Sequence, residues 1–294
     1  MTTDENHQFD RQRRMSQTLY EYGSSAFFAC EADARFSYCL YVPPALQQDG
    51  RAESPDLLVV IHGTRRLAET CRNQFVDFGR WNNCVILAPL FPIGLTGFDD
   101  RSGYRMLVED DVRFDRITLS MVDEVGRKYG WSFERFGLFG FSGGGQFANR
   151  FLLCHPERLW AVTISAPGHV TLLDGDRDWW IGTRGIDKVF GRSVDAEHIR
   201  QVPVLLSIGS HDTESWEIQT LERHSNWMPG ANDAGQTRPE RLDALKASLD
   251  RAGLDVEHAV VRGVAHDFAP CADHSKDFLA RKLASWRARR ATGR

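Results

Sequence analysis

Short uninterrupted apolar runs punctuate the chain, and between them apolar residues recur every three or four positions. Leu57-Leu58-Val59-Val60-Ile61 is apolar throughout, as is Cys84-Val85-Ile86-Leu87-Ala88. Such runs suit strands covered on both faces, where neither face tolerates an unpaired polar side chain. Phe136 to Phe141, Trp160 to Ser165, Val202 to Ile208 and Val256 to Val261 predict further strands. Helical spacing links Phe114, Ile117, Met121, Val125 and Tyr129, then Leu242, Leu245 and Leu249, then Leu279, Leu283 and Trp286. Leu67 to Phe78 and Gln146 to Leu153 are read as helices as well. Near the start, Ala26 to Ala32 and Arg35 to Val42 predict a strand pair that Pro43-Pro44 ends, since proline cannot donate to a ladder. Strands that alternate with helices predict an α/β fold, its mostly parallel sheet covered by helices on both faces.

Two stretches break the alternation. The segments at about 171–201, with Asp178-Trp179-Trp180-Ile181, and 213–239, with Trp216 and Trp227, are too long for simple connections. Excursions from the carboxyl ends of parallel strands sit where ligands bind. Both are therefore expected to be lid-like insertions in a single domain over 21–294, preceded by a polar tail over 1–20. Trp179, Trp180 and Trp216 become candidate substrate contacts, with ordinary core packing an equally open reading for each.

Composition narrows the choice of partner. The 294 residues carry a formal charge of -4 and are 42% hydrophobic, which gives no reason to expect nucleic acid or an anionic membrane. A small molecule is the expected partner, and self-association to a homo-oligomer is left open. Met1 to Gln17 is polar and lacks the apolar core of a secretory signal, so a cytoplasmic location is expected. The six cysteines form no C-x-x-C pair and fall mostly in apolar segments, which reads as buried thiols. No metal site and no cofactor are expected.

The chemistry is carried by Gly140-Phe141-Ser142-Gly143-Gly144, between an apolar strand and a helical segment. A serine on a sharp strand-to-helix turn needs glycine two residues before and after it, because side chains there would collide. The turn sets the hydroxyl at the positive end of the following helix, where Gly143 N–H can meet a developing oxyanion. Such a serine needs a base, and the base needs an acid to orient it. His266, after strand Val256 to Val261 and a short turn, is the expected base. Asp212, after the apolar run that ends at Ile208-Gly209, is the expected acid; Glu214 is its rival, and Asp267 is too close in sequence to face His266. The second oxyanion donor should lie in the loop His62-Gly63-Thr64, with Thr64 N–H favoured and Arg65 N–H the near alternative. His62 is expected to brace that loop and His155 to end the helix. Arg65, with Asp99, Asp100 and Arg101, is a candidate source of polar specificity at the mouth.

With these residues in place, Tyr41-Val42-Pro43-Pro44, Val59-Val60-Ile61-His62-Gly63 and the elbow itself resemble the α/β-hydrolase superfamily, in its serine esterase and polyhydroxybutyrate-depolymerase-like branch. The resemblance runs from about Phe36 to Trp286. It implies an eight-stranded, mostly parallel sheet, a Ser142, Asp212, His266 triad, and hydrolysis of a small or medium carboxylic ester through an acyl-enzyme. The same triad serves an amidase, lactonase or thioesterase. A non-catalytic ligand-binding protein on the same fold is the reading from a different class.

Overall fold

Every residue of strand β3 (Asp56–Ile61) is buried, and so is every residue of β5 (Phe136–Phe141) and β6 (Leu159–Ser165). These strands therefore lie inside a sheet with both faces covered. A computed structural model describes residues 21–47, 55–97 and 103–292. The tail over 1–20, most of the stretch between Gln47 and Pro55, and Asp99, Asp100 and Arg101 lie outside them.

The sheet has eight strands. The others are β1 (Gly23–Ala29), β2 (Ser37–Val42), β4 (Cys84–Leu90), β7 (Val204–Gly209) and β8 (Val256–Val261). Their spatial order is β1-β2-β4-β3-β5-β6-β7-β8. β1 and β2 pair antiparallel, as do β2 and β4; all later neighbours are parallel.

Side chains alternate across a strand, and β5 shows which helix covers which face. Phe139 meets Phe75 and Phe268, whereas Phe136 meets Phe151. The first face carries α1 (Ala68–Gln74), α2 (Val76–Asn82) and the closing α6 (Phe268–Ala291). The second carries α3 (Phe114–Tyr129) and α4 (Gly143–Cys154), joined through stacked Phe91, Phe147 and Phe151. α5 (Arg238–Arg251) packs against β7 and β8.

The single helix expected over Leu67 to Phe78 is two helices. The chain breaks at Phe75, whose N–H turns back to Arg72 O and whose fully buried ring anchors the corner. Core packing there overrides helical continuity. The other predicted elements occur with ends displaced by a few residues, and all six cysteines are buried free thiols. No helix among the described residues is long and apolar enough to cross a membrane.

Register fixes where the chemistry gathers. Ile61 pairs with Gly140, Phe141 with Ser165, Ser165 with Ser207, and Gly209 with Val261. These positions form one row across the carboxyl edge of five parallel strands. Each next segment of chain leaves from that row.

Candidate active site

Ser142 occupies φ 57°, ψ −114° between β5 and α4, a conformation that a residue with a Cβ adopts only at a cost. Two backbone bonds hold it there: Ser142 N–H donates to Ser165 O at 2.9 Å, and Ser142 O accepts from Gln146 N–H at 3.1 Å. The turn closes only because its flanks are bare. A Cβ on Gly140 would strike the Gly144 carbonyl, and one on Gly144 would strike Ile61 O.

His266 reaches the hydroxyl from the far side of the sheet edge. After β8 the chain is fastened to the end of β7: Ser210 N–H donates to Val261 O at 2.9 Å, His211 N–H to Val264 O at 2.8 Å, and Gly263 N–H to Ser210 Oγ at 2.9 Å. The carbonyls of Val264 and Ala265 press against Gly209 where a Cβ would stand. This stapling presents His266, whose Nε2 lies 2.9 Å from Ser142 Oγ and whose Nδ1 lies 2.6 Å from Asp212 Oδ2. A carboxylate only accepts, so Nδ1–H donates to it and Nε2 remains to accept the serine hydroxyl. The ring leans on Phe141 with centroids 4.7 Å apart, which limits its rotation.

Asp212 is almost fully buried, and its second oxygen is met by Arg238 Nη1 at 3.1 Å. Arg238, equally buried, also donates to Glu214 O at 3.2 Å and to Glu217 Oε2 at 2.8 Å. Glu214 thus contributes a carbonyl, not a carboxylate, and its side chain is exposed. Asp267 caps α6 by accepting from Ala269 N–H at 3.2 Å.

The loop after β3 borders the serine: a Cβ on Gly63 would lie 3.5 Å from Ser142 Cβ. Both nitrogens of the fully buried His62 are engaged. Nδ1–H donates to Gly63 O at 2.9 Å, and Nε2 accepts from Phe91 N–H at 3.0 Å. Burial, reinforced by Arg66, brings its pKa down to about 3, so the ring is neutral and braces the loop. Among the described residues, Thr64 N–H donates to no protein acceptor, and Gly143 N–H opens α4, where the first amides have no partner within the helix. The hydroxyl of Tyr104 fills the space beside Gly143 and donates to His62 O at 3.3 Å. Burial raises the Tyr104 pKa to about 12, against a smaller opposing effect of Arg66 and Arg105. The hydroxyl therefore keeps its proton.

No family model and no curated protein sequence matches the chain. Solved structures do. A poly(3-hydroxybutyrate) depolymerase from Bordetella parapertussis aligns with a TM-score of 0.66 and 21% identity over 91% of this chain and 92% of that one. Poly(aspartic acid) hydrolase-1 from Sphingomonas sp. KT-1 gives 0.64 and 18% over 82% and 92%. A fluorophosphonate-binding serine hydrolase from Staphylococcus aureus gives 0.57 and 11% over 88% and 97%. The chain has the α/β-hydrolase fold.

On this α/β-hydrolase scaffold the expected contacts divide. Arg65 is exposed beside Thr64. Trp180 is buried, its indole N–H donating to Asn226 O at 2.8 Å and so pinning one excursion to the other. Trp179 packs edge-on against Phe190 at 5.0 Å. Trp216 is 72% exposed, which leaves it free to meet a ligand. His155 ends α4 as expected and is also held at 2.8 Å to buried Asp115. Among the described residues no group of three or more His, Cys, Asp or Glu could hold a metal ion.

Sequence reasoning passed over Arg238 and Tyr104. For Arg238 a signal existed: it lies four residues before Leu242 on the stripe that continues through Leu245 and Leu249, so the helix turns it inward with them. Tyr104 gave none, because its partners are set by the packing of a short helical turn, Gly103–Met106, on α4.

Proposed function

We propose that this protein is a serine hydrolase that cleaves a small or medium carboxylic ester through an acyl-enzyme. One observation carries the reading: His266 lies within hydrogen-bond reach of Ser142 Oγ and Asp212 Oδ2 at once, although the three residues leave three different strand ends. In this reading Ser142 Oγ attacks the acyl carbon while His266 Nε2 takes its proton. Asp212 holds the ring and balances the positive charge it gains, and Gly143 N–H and Thr64 N–H receive the oxyanion. His266 then gives the proton to the departing alcohol, and a water repeats the sequence to release the acid. The similar structures, a poly(3-hydroxybutyrate) depolymerase and a fluorophosphonate-binding serine hydrolase among them, lend support.

The test pairs p-nitrophenyl ester hydrolysis with labelling by a fluorophosphonate. Ser142→Ala should abolish labelling and lower turnover by about four to six orders of magnitude, with an unchanged circular dichroism spectrum. Hydrolysis that persists in a folded Ser142→Ala protein rules the reading out.

A further inference from the structure

A guanidinium is expensive to bury unless an anion faces it. Two arginines, one on α4 and one on α5, are buried against neutral oxygens. Arg150, two turns along α4 from the elbow and fully buried, donates from Nη1 to Arg105 O at 2.6 Å and from Nε to Thr171 Oγ1 at 3.0 Å. Its Nη2 is buried with no acceptor, and the guanidinium stands 5.5 Å from the Trp180 ring centroid. Arg241, 1% exposed, donates only to Gly168 O, Ile218 O, Gly235 O and Asn232 Oδ1. The contrast is Arg238 on the same helix, whose charge is met by Asp212 and Glu217.

These groups lie close together. His169 follows Gly168, its Nε2 lies 2.8 Å from Thr220 Oγ1, and its ring stands edge-on to Trp180 at 5.3 Å. Burial first, then Arg241, Arg150, Arg105 and Arg238, push the His169 pKa well below the usual value, so the ring adds no positive charge to that wall. Burial disfavours a charge of either sign, but the four guanidiniums that add to it favour an anion at the same place. The wall continues to the nucleophile. Gln146, one turn after Ser142, has its amide against Gly168, and the Arg105 side chain lies against Gly143. Ser142, Arg105, Met106 and His169 keep part of their surface in solvent, whereas Gln146, Arg150 and Trp180 are buried.

We propose that the recess beside Ser142, walled by Arg105, Gln146, Arg150, His169 and Trp180, receives a carboxylate carried by the substrate a few bonds from the scissile carbonyl. His169 meets the group directly, and Arg105, Arg150 and Arg241 supply positive potential around it. The bond that is cut depends on the serine hydrolase reading; the carboxylate site does not.

Two measurements separate the claims. Calorimetric titration of the full-length Ser142→Ala protein compares glutarate with neutral glutaramide, and kinetics of the unaltered protein compare mono-p-nitrophenyl glutarate with p-nitrophenyl pentanoate. A charge-assisted hydrogen bond corresponds to roughly a tenfold preference or more. We expect glutarate and its ester to be favoured by about that factor at low ionic strength, with the margin shrinking as salt is added. The glutarate-to-glutaramide ratio should fall in Arg105→Gln and in Arg150→Gln; the former, half-exposed, covers the case in which the latter does not fold. Glutarate binding without cleavage of either ester would leave the anion site standing and remove the hydrolase reading. Ser142-dependent cleavage with equal binding of glutarate and glutaramide would overturn the anion site and leave the hydrolase reading intact.

Discussion

Removing the side chain of Ser142 in two ways isolates the strain at the elbow. Ser142→Ala and Ser142→Gly both lose the hydroxyl and its contact to His266, so they differ only in the Cβ. At φ 57°, ψ −114° that Cβ is crowded, and a residue held in such a region costs about 1–3 kcal/mol. Glycine escapes this cost but loses about 0.5–1 kcal/mol through the greater freedom of its unfolded chain. The Gly variant should therefore be the more stable by roughly 0.5–2 kcal/mol. In a chain of this size that is a melting temperature about 1–8 °C higher, readable by scanning calorimetry on the two variants side by side. The comparison is clean because both variants lack the hydroxyl and the backbone bonds to Ser165 O and from Gln146 N–H need no side chain at 142. A Gly variant that melts at or below the Ala variant would refute the claim that this backbone is strained.

Three further outcomes follow from buried groups. Because the His62 pKa is depressed from 6.5 to about 3, its contribution to stability is complete above pH 6.5 and is lost as the pH falls towards 3; urea midpoints should decline over that window by the equivalent of several kcal/mol, and His62→Gln should flatten the decline. Arg238→Met leaves buried Asp212 facing no cation, so it should cost about 3 kcal/mol in chemical denaturation and, on the proposed function, lower kcat more than it raises KM, since the carboxylate that holds His266 is disturbed. Burial alone would raise the Asp115 carboxyl, but hydrogen bonds from His155 and Arg113 outweigh it and bring the pKa to about 2. That stabilisation is present above the ordinary carboxyl value of 3.8 and vanishes as the pH falls through about 2. Asp115→Asn should thus destabilise by about 2 kcal/mol at neutral pH, and a melting temperature unchanged from the parent protein would argue against the network.

The elbow was legible because its determinants are local: glycines at fixed offsets from one serine, between an apolar run and a helix. Asp212 and His266 were legible by a weaker route, each standing a few residues past a buried strand, with β7–β8 register and the bonds that tie 209–211 to 261–264 doing what the sequence could only anticipate. Those contacts are what decided between Asp212 and Glu214. Arg150 and Arg241 escaped notice because a charged residue on a helix usually faces water, and only the long-range folding of the excursions supplies the oxygens that hold them inward. The break at Phe75 was hidden for a similar reason. Nothing between Leu67 and Phe78 forbids one continuous helix, and the corner exists because a distant part of the core accepts the phenyl ring.

The two-sided engagement of His62 has a consequence for selectivity. With one nitrogen committed to its own loop and the other to the chain at Phe91, the backbone amides beside the nucleophile are fixed when the protein folds, before any substrate arrives. On the proposed function these amides receive the oxyanion, and an enzyme whose amides stand ready in this way has little opportunity to reject a poor substrate by failing to assemble. Discrimination would then fall to the side chains that wall the site and to what the excursions admit, not to the assembly of the amides.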